Sequence, residues 1–108
     1  MAHHDTKLGY HAVLILSAFA AGARYGLEVM DRTALSSGTV YPALRRLERA
    51  RLVEGHWERA TEAHTNGRPA RRYYQVTAKG RAELALCQEQ IRARQRALGW
   101  ARGENVGA

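Results

Sequence analysis

A chain of 108 residues is the length of one domain with a modest core, and a basic chain this short often completes its burial by pairing with a second copy. Seventeen Lys and Arg against ten Asp and Glu leave a net charge of +7 and a pI near 10.3, which favours a polyanionic partner. The single cysteine, Cys87, excludes an internal disulfide framework and makes a reducing cytoplasm the expected compartment.

Met1 to Lys7 is polar and reads as a flexible N-terminus. His3 and His4 raise the question of a metal, but two adjacent histidines without a second pair of ligands do not make a site, so no metal or other cofactor is expected. Leu8 to Ala23 reads as a helix that is apolar around most of its circumference, with Leu8, Ala12, Ile15 and Phe19 on one stripe. Such a helix must be buried on more than one side. Its apolar run is shorter than the roughly 20 residues that cross a bilayer, and it lacks the basic leader and cleavage context of a secretion signal.

A second helix is expected from about Gly26 to Thr33, with Leu27, Met30 and Ala34 facing inward. A turn through Leu35 and Ser36 then leads into a third. Ser36 or Ser37 can cap this third helix by accepting a bond from a first-turn amide, so it would begin near Gly38 and run to Ala50. At about 100° per residue, Val40, Ala43, Leu44, Leu47 and Ala50 fall on one side, and Gly38, Tyr41, Pro42, Arg45, Arg46 and Arg49 on the other. One face is core and the opposite face is cationic. Pro42 crowds the carbonyl of Gly38, but so near the helix start that a bend is expected rather than a break. Two short helices joined by a tight turn, the second basic on its outer face, describe a helix-turn-helix.

From Leu52 to Arg59 the period changes to two, with Val53, Gly55 and Trp57 on one side and Glu54, His56 and Glu58 on the other, which indicates a strand. A second strand is expected at Arg71 to Val76. The polar stretch from Ala60 to Pro69, containing Asn66-Gly67, would be the long basic tip of a hairpin. Attached to a helix-turn-helix, that hairpin is a wing. Thr77 caps a last helix running to about Leu98, with Leu84, Cys87, Ile91 and Leu98 spaced close to a heptad seam. So narrow a stripe is expected to pack on a partner subunit. Gly99 to Ala108 reads as a flexible tail, with Trp100 able to pack back on the helix. The arginines cluster in two runs, Arg45, Arg46, Arg49 and Arg51, then Arg68, Arg71 and Arg72.

The blocks Ser36-Ser37-Gly38-Thr39-Val40-Tyr41-Pro42-Ala43-Leu44-Arg45-Arg46-Leu47-Glu48 with Leu52-Val53-Glu54, and Gly67-Arg68-Pro69-Ala70-Arg71-Arg72-Tyr73-Tyr74-Gln75-Val76-Thr77-Ala78-Lys79-Gly80, resemble the PadR-like transcriptional regulators in order and spacing. The resemblance covers about Leu8 to Leu98 and is to the short form with a single C-terminal helix. It implies a mainly α, α+β fold, a winged helix-turn-helix over 8–76 followed by a dimerisation helix over 77–98. It further implies a dimeric repressor of pseudo-palindromic operators, released by a small-molecule effector.

Carried over by position, Ser37, Thr39, Tyr41 and Arg45 match the family's DNA-reading helix, and Gly67, Arg68 and Pro69 match its wing tip. Two departures accompany the match. Tyr25-Gly26-Leu27-Glu28 stands where many members have His-Gly-Tyr-Glu, and Ile91 stands where drug-stacking members carry a tryptophan.

The expected DNA contacts are therefore Ser37, Thr39, Tyr41, Arg45, Arg46 and Arg49 on the helix, and Asn66, Gly67, Arg68 and Arg71 on the wing. Arg45 is the candidate base reader. Arg46 and Arg49 suit phosphates, and Arg68 suits a narrow minor groove. Because Arg71 and Arg72 alternate in direction, only one is expected to face DNA. Leu84, Cys87, Ile91 and Leu98 are the expected dimer contacts.

Trp57, Tyr73 and Tyr74 read as sheet packing, Cys87 as a buried inert thiol, and His56 and His64 as solvated. No nucleophile and base pair, metal-ligand set or phosphate-cradling glycine loop appears at diagnostic spacing, so an enzyme is not expected. The rival readings are a winged-helix module for an acidic protein partner and a nonspecific nucleoid protein. The base-reading side chains of the third helix favour specific DNA over both.

Overall fold

The computed structural model describes residues 8–99; the expected flexible start at Met1 to Lys7, the His3 and His4 pair, Trp100 and the rest of the tail lie outside them. In chain order the elements are α1 (Tyr10–Ala20), α2 (Gly26–Thr33), α3 (Ser37–Arg49), β1 (Val53–Trp57), α4 (Ala60–Thr65), β2 (Arg72–Val76) and α5 (Ala78–Leu98).

The all-round apolar character of α1 has its explanation in its neighbours: it packs against α2, α3, β2 and α5. Ile15 and Leu16 are fully buried, with Ala18 and Phe19 nearly so. The helix stops three residues short of Ala23. Gly22 turns to φ +113, and its amide and that of Ala23 bond back to the carbonyls of Phe19 and Ala18, so the last alanines of the run leave the helix.

In α2 the buried positions are Gly26 and Val29. The expected inward set is corrected: Met30 packs against the core, but Leu27 is 53% exposed and Ala34 lies beyond the helix in a left-handed cap. An eight-residue helix carries two short apolar stripes, and packing against both α1 and α3 selects the one through Val29.

The core face of α3 is Val40, Ala43, Leu44 and Leu47. Ala50 is exposed, because the helix ends at Arg49 and the chain turns there. Ser36 is the N-cap residue, but its side chain makes no capping bond to the backbone; it meets the Thr39 hydroxyl at 3.3 Å instead. At the far end Arg51 adopts φ 63, its amide bonds to Glu48 O, and the amide of Leu52 bonds to Leu47 O. This paired closure turns the chain out of the helix and sends Leu52 back into the core.

The two strands pair antiparallel in the register Val53↔Val76, Gly55↔Tyr74 and Trp57↔Arg72. The inner end is buried through Val53, and Tyr74 meets Phe19 of α1 with ring centroids 5.7 Å apart. Trp57 keeps the alternation expected of it, but the ribbon has left the core by that point and the ring is 64% exposed. A bridge between Tyr25 and Tyr73, with the Tyr74 amide bonded to Arg24 O, ties β2 to the chain entering α2.

The stretch expected to be a polar hairpin tip is instead the helix α4 with a loop after it. Ala63 is buried, and the amides of Gly67 and Arg68 bond back to His64 O and Ala63 O. Asn66-Gly67, which can make a tight hairpin turn, here ends a helix, with Gly67 at φ +67.

Thr77 caps α5 as expected: its hydroxyl accepts from the Gly80 amide at 2.9 Å and donates to Arg51 O at 2.7 Å. Leu84 and Cys87 are buried within this chain, at 4% and 6% exposure. They are therefore corrected as dimer contacts, because the chain's own core already covers them. Ile91 and Leu98 are exposed. Among the described residues no helix is long and apolar enough to cross a membrane.

Docking of α5 depends on Gly80, where a Cβ would lie 2.1 Å from Leu52 O. Gly80→Ala is expected to cost about 1–3 kcal/mol through overpacking against rigid backbone, visible as a lower Tm in thermal denaturation.

Candidate nucleic-acid interface

The outer face of α3 is set by its inner one. With Val40, Ala43, Leu44 and Leu47 in the core, Ser37, Gly38, Tyr41, Arg45, Arg46 and Arg49 stand exposed. Tyr41, Arg45 and Arg49 follow one another at intervals of four, so they form one row along the helix. Thr39 is half-buried beside Ser36. Arg46 lies on the other flank, at the groove it shares with Leu8, ahead of α1, and Ala12 within it.

Ion pairing sorts the arginines. Arg24 is bonded to Glu28, Arg68 to Glu58, Arg72 to Glu48, and Arg92 and Arg96 to Glu89. Among the described residues Arg45, Arg46 and Arg49 have no acidic partner. A row of guanidinium groups left without counter-charges on an exposed helix face is a surface for phosphates and base edges.

Tyr41 is held in place by its neighbour helix. Its ring lies so close to Gly26 that a Cβ there would approach the ring and hydroxyl to 2.7–2.9 Å. Only a residue without a side chain lets the tyrosine lie across the start of α2. Beside it opens a cleft of about 300 Å³ lined by Tyr25, Leu27, Tyr41, Trp57, Arg71 and Arg72.

Arg71 and Arg72 were expected to point apart, yet both border this cleft. They differ in engagement. The Arg72 guanidinium bonds Glu48 at 2.5 Å and lies near the rings of Trp57 and Tyr74, whereas that of Arg71 sits 4.2 Å above the ring of Tyr25. Tyr25 meets Tyr73 edge-on at 5.6 Å.

The remaining wing residues are placed differently from the open tip expected of them. Asn66 donates its side-chain amide to Glu62 O at 3.0 Å. Gly67 is exposed at the end of α4. Arg68 lies between, with both terminal nitrogens on the carboxylate of Glu58, at 2.5 and 2.8 Å. The Glu58 side chain is only 7% exposed. The Arg68 guanidinium first, and with it the Arg71 amide bonded to the same carboxylate, hold the Glu58 carboxyl at about 2 against burial, which pushes the other way.

Tyr25, Leu27, Trp57, Glu58 and Arg72 were not singled out for the interface from sequence. The pairing of Trp57 with Arg72 follows from the hairpin register, which the long intervening insert hides. Among the described residues no group of His, Cys, Asp and Glu is disposed to hold a metal ion.

Three helices, a two-stranded ribbon and an exposed basic face on the third helix define a winged helix-turn-helix protein of the DNA-binding class. The model of the Transcriptional regulator PadR-like family matches residues 15–86, and the chain belongs to that family of DNA-binding regulators. It is similar to the crystal structure of a PadR family transcription regulator from Clostridium difficile R20291, at 26% identity and TM-score 0.74 over 84% of this chain and 96% of the other. It is also similar to a PadR family transcriptional regulator from Eggerthella lenta DSM 2243, at 25% identity and TM-score 0.67 over 87% and 82%. Bordetella bronchiseptica BpsR shares the fold at 21% identity and TM-score 0.64 over 94% and 67%. No curated protein sequence matches the chain.

Since the Glu58 carboxyl is lowered from 4.5 to about 2, the stability it lends is complete above pH 4.5 and is lost as the pH falls towards 2. Thermal melts of the native protein and Glu58→Gln are therefore expected to differ at neutral pH and to converge over that acid window.

Proposed function

We propose that the protein is a dimeric, sequence-specific repressor that acts in the cytoplasm on promoter DNA. The observation carrying this reading is the Tyr41, Arg45 and Arg49 row, exposed and without acidic partners among the described residues, on a helix narrow enough for a major groove. In this reading Arg45 bonds a guanine edge, and Ser37, Thr39 and Tyr41 meet phosphates or base edges near the start of the helix. Arg46 and Arg49 hold phosphates on either flank, giving affinity and register. The wing, through Asn66 to Arg71, lies along the neighbouring backbone.

A two-fold axis would bring two copies of α3 about 34 Å apart, the spacing of successive major grooves on one side of the duplex. The part of α5 beyond Cys87 supports this arrangement, since Ile91 and Leu98 offer exposed apolar surface to a second copy. Release by a small molecule belongs to the same proposal. It is supported by the family resemblance and by the fold relative BpsR, which is described as having its DNA binding regulated by 6-hydroxynicotinic acid.

Footprinting on the DNA upstream of the protein's own gene tests specificity and half-site spacing together. A paired footprint that survives excess random DNA is expected; protection lost equally to heparin would point to a merely polyanionic contact. On the protected site Arg45→Ala is expected to cost about 1–3 kcal/mol and relax sequence preference, read by gel-shift titration. Arg49→Ala is expected to weaken all duplexes alike and to lower the slope of log affinity against log salt by about one.

A further inference from the structure

We infer that Arg68 is a positioning residue: together with Glu58 it forms a clip at the neck of the wing that sets Arg71 beside the recognition helix, and Arg71 is the wing's DNA-facing cation. The inference rests on the DNA-binding reading above and changes which wing residue does what.

Glu58 is the last residue before the insert that carries α4, and Arg68 is where the chain leaves it. The carboxylate accepts three donors, two from the Arg68 guanidinium and one from the Arg71 amide at 3.2 Å. The Glu58 amide in turn donates to Arg71 O at 2.8 Å. One residue thus closes the insert through its carboxylate and, with its own backbone amide, fixes the backbone of Arg71 on both sides. For Arg68 to enter a groove it would have to leave both carboxylate oxygens and strand a nearly buried charge, a costly exchange.

Arg71 has the opposite character. No acid pairs its guanidinium among the described residues; it rests on the Tyr25 ring and borders the cleft that Tyr41 also lines. Tyr25 is itself fixed by its bridge to Tyr73 and by the Tyr74 amide bonded to Arg24 O. The chain of contacts runs from Glu58 through Arg71 and Tyr25 to the start of α2, where Tyr41 of the recognition helix is seated. A cation held on a flat aromatic support gives up little side-chain freedom when it meets a phosphate.

The two roles separate in a salt titration of binding to a random-sequence duplex of about 30 base pairs, roughly three helical turns. Arg71→Gln is expected to lower the log affinity against log salt slope by about one, as loss of a phosphate contact does. Arg68→Gln is expected to weaken binding about tenfold while leaving the slope unchanged. Glu58→Gln decides by its sign. The clip role requires weaker binding although the variant gains positive charge, whereas an Arg68 that touches DNA would be freed and bind more tightly. Circular dichroism confirms that the variants are folded, and should Arg68→Gln fail to fold, Glu58→Gln and Arg71→Gln still decide. Tighter binding by Glu58→Gln, or a slope lowered by Arg68→Gln and untouched by Arg71→Gln, overturns the inference. Native protein that binds no duplex overturns the DNA-binding reading itself, and the clip's role with it.

Discussion

Everything on the binding side follows from the inward stripe of α3. Val40, Ala43, Leu44 and Leu47 meet the core, where α1 and α2 pack against the same helix. Burying a valine or leucine is worth about 1.5–3 kcal/mol each, and rotating the helix would exchange those side chains for guanidinium groups that cannot be buried unpaired. The rotation of α3 about its own axis is therefore fixed by apolar packing, and the exposed arginine row is a consequence of it. The exposed chemistry of one face is specified by the insolubility of the other.

The hairpin is held by a second set of constraints that are mostly polar. Its base lies in the core at Val53, but its outer half is kept in place by the Arg72–Glu48 pair, the Arg68–Glu58 pair and the aromatic contact of Tyr25 with Tyr73. Arg72 reaches back to α3 itself, so the ribbon and that helix are linked by a half-exposed ion pair as well as by backbone. Such links carry less energy than core burial, but they fix direction. The wing gains a defined position without a core of its own.

What could be read from the chain was what repeats along it. The three-helix order, the wing and the spans of α3 and α5 follow from apolar periods of 3.6 and 2 and from Thr77 as a cap, and these agree with the structure to within one or two residues. What could not be read was choice of partner. Leu84 and Cys87 lie on a stripe that any apolar surface could cover, and the chain's own core takes them. The face of α2 was ambiguous because eight residues hold two possible stripes. Arg68 carries a charge whose use depends on Glu58, ten residues earlier, across an insert whose helix is too short to announce itself. Asn66-Gly67 suits both a hairpin turn and a helix end, and the burial of Ala63, with the Gly67 and Arg68 amides bonded back to α4, distinguishes them.

Cys87 is the last side chain of α5 inside the core, and the helix continues for about three more turns with its remaining large apolar groups in the open. The buried core is thus complete before the helix leaves it, and the last turns of α5 add no buried side chain to it.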